Sequence, residues 1–140
     1  MIKKNNGETW KPIKFKGSQL MRNKYALSSH GRAASYKKDI LKDGKLLGGS
    51  LTSGYKTLNL HVDGKNSTLY LHREIARLFT SKKSPRHQFV IHINHNKEDN
   101  SVKNLRWATQ NEVNEHQQKS PQKLAYKKVQ NERRKGLKLT

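Results

Sequence analysis

Hydrophobic positions in this chain come in short runs, and their spacing predicts a mixed succession of strands and helices. From Gly54 to Val62 the residues alternate, with Lys56, Leu58, Leu60 and Val62 on one side and Tyr55, Thr57, Asn59 and His61 on the other. Asp63-Gly64 then reads as a two-residue hairpin turn, and Ser67 to His72 returns as the partner strand. The spacing switches to a helical one from His72 to Phe79, which places Ile75, Leu78 and Phe79 on the buried face. A second strand pair follows: apolar Phe89 to Ile93, a polar loop rich in Asn, then Leu105-Arg106-Trp107. The next helix opens at Thr109, because Thr109 and Glu112 make a T-x-x-E capping box.

Upstream the pattern is weaker. Met1 to Gly7 reads as a flexible terminus, and Trp10, Ile13 and Phe15 as a first strand. Tyr25 to Arg32 with Ala33 to Ser35 reads as two short strands about a turn, where Gly31 suits a positive φ. Lys42 to His72 reads as β structure throughout, and Ser120-Pro121 opens a last helix reaching Arg134. The class is α+β: a β-rich module over residues 8–50, a hairpin, helix and ββα unit over 51–118, and a basic extension over 119–140.

Charge narrows the partners. Thirty Lys and Arg against ten Asp and Glu give a net charge of +20, while only 31% of residues are hydrophobic. Such a charge repels itself unless a polyanion neutralises it, so nucleic acid, as duplex DNA or structured RNA, is the expected partner. The basic side chains placed to meet phosphates are Arg32, Lys37, Lys38 and Arg106, and in the extension Lys119, Lys123, Lys127, Lys128, Arg133, Arg134 and Lys135. No clean amphipathic face or transmembrane-length run points to a membrane, and no signal-peptide core is visible, so an intracellular, unsecreted protein is expected. The absence of Cys excludes disulfides and thiolate zinc sites. His92, His95 and His116 read as solvated histidines near a basic surface rather than as ligands of a transition metal.

The strand, loop, strand and helix from Phe89 to Gln117, with a His closing the first strand and N-L-R-W opening the second, resembles the ββα-metal motif of HNH homing endonucleases of the phage and intron-encoded type. H-R-x-I-A-x-x-F from His72 to Phe79 resembles the same group, and E-x-W-K-x-I with Y-x-L-S-x-x-G-R resembles the small module that precedes it. The resemblance implies His92 as general base and Asn104 as the residue bracing the loop, with His72 structural. It implies metal ligands at the two positions occupied here by Ile91 and Val113. Neither side chain has a lone pair, and a hard cation such as Mg²⁺ requires oxygen donors. The expectation is therefore a nucleic-acid-binding derivative without a metal and with catalysis lost or impaired, one form of which is a structural component of a ribonucleoprotein such as a ribosome, in contact with its other proteins. The alternative is an active, Mg²⁺-dependent endonuclease nicking or cutting double-stranded DNA with His92 as base.

Overall fold

The computed structural model describes residues 1–14, 24–62 and 65–138. Three antiparallel sheets follow one another along the chain. The first joins β1 (Trp10–Pro12), β2 (Lys24–Ser28), β3 (Ala33–Tyr36) and β4 (Lys45–Leu47) in sequence order. The second joins β5 (Ser50–Thr52), β6 (Tyr55–Val62) and β7 (Lys65–Tyr70), and the third pairs β8 (Phe89–His92) with β9 (Leu105–Ala108). Helices are α1 (Ile40–Asp43), α2 (Leu71–Phe79), α3 (Gln110–Gln118) and α4 (Pro121–Lys138).

The β6 and β7 register runs from Thr57↔Tyr70 to Val62↔Lys65. The expected turn residues, Asp63 and Gly64, lie outside the described residues, as do Phe15 and the segment from Lys16 to Asn23. Alternation puts Leu58 and Leu60 inward, where α2 lays its own buried face of Leu71, His72, Ile75 and Ala76. Leu78 and Phe79 pack at the rim of that core rather than inside it. Leu27 and Ala33 of the first sheet and Leu105 of the third join the same cluster, so one core underlies the N-terminal module and the ββα unit together. Ile75 is fully buried at its centre, a side chain whose burial contributes on the order of 2 kcal/mol.

Two expectations are corrected. The first residues are pinned rather than free: Ile2 is buried, and its N–H donates to Leu41 O at 2.9 Å. An apolar side chain two residues from the end found a place against α1 that the surrounding Lys and Asn concealed. Second, the stretch read as β from Lys42 onward begins in a helical turn, because Asp39 accepts from the N–H groups of Leu41 and Lys42 and so caps α1.

Candidate active-site cleft

A cleft of about 830 Å³ opens between the second sheet, the β8–β9 loop and α3. His92 lies on its wall at the end of β8, held there by both backbone and ring. Its carbonyl accepts from His116 Nε2 at 2.7 Å and from His95 N at 3.0 Å. Its own Nε2 lies 2.8 Å from Asn100 Oδ1. An amide oxygen only accepts, so the hydrogen between them belongs to Nε2, and the lone pair of the neutral ring is on Nδ1. Burial pushes the His92 pKa down, assisted by Lys97 and His116 and opposed by Asn100 and Asp99, which keeps the ring neutral around neutral pH. A buried, neutral ring with its lone pair on a defined nitrogen is a proton acceptor. This corrects the view of His92 as a solvated loop residue; it is 5% exposed.

Aromatic rings surround it. His72 lies 5.0 Å from His92 between ring centres and stacks on Tyr55 at 4.8 Å. Burial, with His92 and Arg73, drives the His72 pKa down to about 3, and among the described residues its Nδ1 has no hydrogen-bond partner. Lys97 caps the stack, with Nζ 4.6 Å above Tyr55 and hydrogen-bonded to Ser53 O, while Arg73 lies over Tyr70 at 4.9 Å. Sequence reasoning passed over Lys97 and Arg73, which put two cations beside the cleft.

The β8–β9 loop is tied by its own amides. Asn104 accepts from Asn94 N at 3.0 Å and donates to Asn94 Oδ1 at 2.9 Å and Asp99 O at 2.8 Å, spanning the loop. Asn94 and Asn96 each accept from the N–H two residues on, which turns the chain without a helix. His95 takes the left-handed conformation, φ 63°, and stacks on His116 at 3.8 Å. Thr109 and Glu112 form the capping box that starts α3 and so places Val113 and His116.

Ile91 and Val113, from different elements, both line the cleft that His92 lines. A divalent cation there would meet hydrocarbon where it needs oxygen, and among the described residues no three His, Cys, Asp or Glu converge to replace those donors. At these two positions the side chains offer a Mg²⁺ ion no oxygen donor.

The basic candidates divide. Arg32 is drawn inward, its guanidinium paired with buried Glu8 and 5.4 Å from the Trp10 ring. Lys37 and Lys38 are exposed, and their N–H groups bind Asp43 at 2.8 and 2.9 Å. Arg106 is half exposed on β9, 4.0 Å from Glu112. Lys119, Lys123, Lys127, Lys128, Arg133 and Arg134 are exposed at or along α4, whose backbone also includes Lys135. No described helix is long and apolar enough to cross a membrane.

Residues 69–115, which span α2, β8, β9 and most of α3, match the family model of HNH endonucleases. The chain carries an HNH endonuclease unit. It is 32% identical over 113 residues to an uncharacterized HNH endonuclease of Acanthamoeba polyphaga mimivirus, an alignment covering 78% of this chain and 26% of that protein. It also superimposes on the HNH homing endonuclease I-HmuI, a protein of known DNA binding and cleavage, with a TM-score of 0.61 and 32% identity over 88% of this chain and 64% of the other. The chain thus spans about a quarter of the mimiviral relative and less than two thirds of I-HmuI. The likeness reaches beyond the HNH unit, and the mixed α+β architecture is that of an HNH homing endonuclease.

Proposed function

We propose that this protein binds duplex DNA through an HNH fold in which the proton-accepting half of the hydrolytic site is retained and the cation-holding half is lost, so that hydrolysis is impaired. The observation that carries the reading is the presence of Ile91 and Val113 on the wall of the cleft beside a buried, neutral His92. Phosphodiester hydrolysis asks for a base to take a proton from water and for positive charge to neutralise the phosphate and the leaving oxygen. His92 Nδ1 supplies the first. Lys97 and Arg73 supply fixed charge near the cleft, but each is a monovalent group engaged with an aromatic ring, a poor substitute for the charge a divalent cation would supply.

Binding rests on the net charge of +20 and on the exposed basic α4, with Lys37, Lys38 and Arg106 as further phosphate contacts. DNA is favoured over RNA by the likeness to I-HmuI along most of the chain, whereas the ribonucleoprotein reading rests on composition alone. The test is a pair of titrations with duplex DNA and an RNA hairpin at equal salt, together with supercoiled plasmid incubated with excess protein and Mg²⁺. Tighter binding to the duplex and an unnicked plasmid are expected. Nicking that depends on Mg²⁺ and disappears in His92→Ala would establish an active endonuclease, and tighter binding to the hairpin would move the partner to RNA.

A further inference from the structure

We propose that Asn100 is a positioning residue that fixes the tautomer of His92, and that the Ser28–Arg32 turn of the N-terminal sheet holds Asn100 in place. The proposal rests on the reading of His92 as proton acceptor. A neutral imidazole exchanges between two tautomers, and only the one carrying hydrogen on Nε2 leaves Nδ1 able to accept a proton from water. Asn100 Oδ1, 2.8 Å from Nε2, selects that tautomer. The opposite one would set two acceptors against each other inside a buried site, where an unmade hydrogen bond costs most. The net value of one such bond corresponds to a preference of roughly fivefold to tenfold.

Apart from the bond to His92, no hydrogen bond among the described residues holds the far end of the Asn100 side chain. Its Nδ2 is buried without a hydrogen-bond partner among the described residues, so its aim is set by its backbone. That backbone lies against the N-terminal module. A Cβ at Gly31 would stand 2.8 Å from Asn100 C, 3.0 Å from its O and 3.1 Å from Ser101 N, a contact that only glycine permits. Beside it, Val102 N donates to Ser29 O at 2.9 Å. Three consecutive loop residues therefore sit on one turn.

The turn is itself locked. Gly31 takes φ +85°, open to glycine and strained for other residues. Ser28 Oγ accepts from the N–H groups of His30 at 3.2 Å and Arg32 at 3.0 Å, and Ser28 N donates to Arg32 O at 2.9 Å. Arg32 closes the assembly through Nε to Glu8 Oε2 at 2.8 Å and through Nη2 to Glu8 and to Lys3 O. The side chain that sequence placed among phosphate contacts thus anchors the turn on which the base depends. The N-terminal module acts as the far support of the HNH site, two contacts removed from His92.

The test reads the tautomer directly. Nitrogen-15 NMR of the full chain at about pH 8, above the ordinary histidine titration, separates protonated from bare ring nitrogens. The unaltered protein should show His92 with hydrogen predominantly on Nε2. Asn100→Asp keeps an acceptor and should keep that tautomer; Asn100→Ala should give a mixture with the backbone spectrum otherwise intact. Gly31→Ala should also give a mixture although Asn100 is unchanged, and if that variant does not fold, Glu8→Gln makes the same test by loosening Arg32. An Nδ1-protonated His92 in the unaltered protein, or a pure Nε2 tautomer in Asn100→Ala, would overturn the role of Asn100. A pure Nε2 tautomer in folded Gly31→Ala or Glu8→Gln would overturn the role of the turn. Because these spectra are taken without DNA or metal, they decide the proposal whether or not the protein cuts. In a variant that does nick DNA, Asn100→Ala should lower kcat about fivefold to tenfold, with DNA affinity unchanged.

Discussion

Exposed basic residues on a helix meet a nucleic-acid backbone only if they share a face, and α4 permits a count. At 100° per residue, Lys123, Lys127 and Arg134 fall within about 40° of one another around the axis and cover about 16 Å along it. Lys128 and Arg133 point well away from that stripe. Three phosphate contacts raise the salt dependence of duplex binding by about 2.7 log units per log unit of salt, which is roughly 40-fold in affinity across a fourfold change in salt. The triple variant Lys123→Gln, Lys127→Gln, Arg134→Gln keeps helix-forming residues throughout and should flatten the slope by that amount. The control Lys128→Gln, Arg133→Gln loses two charges but should change the slope by less than about one contact's worth. Fluorescence anisotropy with a labelled duplex between about 50 and 200 mM salt has the range for this, since affinities of such proteins fall by orders of magnitude across it. An unchanged slope in the triple variant would make α4 a solvated extension. Equal flattening in both variants would mean general charge, not a face, is responsible.

Other consequences concern titration and stability. Burial alone would raise the Glu8 pKa, but hydrogen bonds from Arg32, from Asn5 N and from Ser28 outweigh it and hold the carboxyl at about 2 against an ordinary 4.5. Its stabilising contribution is therefore complete above pH 4.5 and lost as pH falls toward 2, about 3 kcal/mol in all. Denaturant unfolding of Glu8→Gln against the unaltered chain should show a smaller deficit at pH 3 than at pH 7, and equal deficits would contradict the assignment. His72, with its folded pKa near 3, should show no imidazole protonation by NMR down to about pH 4; because the unfolded ring takes up a proton below 6.5, this group lowers stability as pH drops through that window. Thr109→Ala removes the 3.3 Å cap bond to Glu112 N and should cost about 1 kcal/mol by denaturant unfolding, while a loss under about 0.3 kcal/mol would show that Glu112 caps α3 alone.

The HNH unit was legible in the sequence because its signals are local. Alternation in β6, the T-x-x-E box of α3 and the His at the end of β8 each depend on residues a few positions apart. What escaped depends on distant pairs. Arg32 is exposed by every local criterion, and only the approach of Glu8, 24 residues away, draws it inward. Asn100 was one amide among several in a polar loop, and nothing nearby distinguished the one whose oxygen meets His92. Ile2, alone between Met1 and two lysines, offered no periodicity to read. Ile91 and Val113 stood out because the resemblance implies metal ligands at those two positions, and the fold brings both to the lining of the cleft.

That convergence gives the most direct test of the account, a plasmid-nicking comparison between the unaltered chain and the double variant Ile91→Asp with Val113→Asn. If the base half of the site is intact and only oxygen donors are missing, the double variant should nick supercoiled DNA in Mg²⁺, the unaltered chain should not, and His92→Ala added to the double variant should abolish the gain. Mg²⁺-dependent nicking by the unaltered chain, equal to that of the double variant and removed by His92→Ala, would contradict the claim that Ile91 and Val113 disable the cleft.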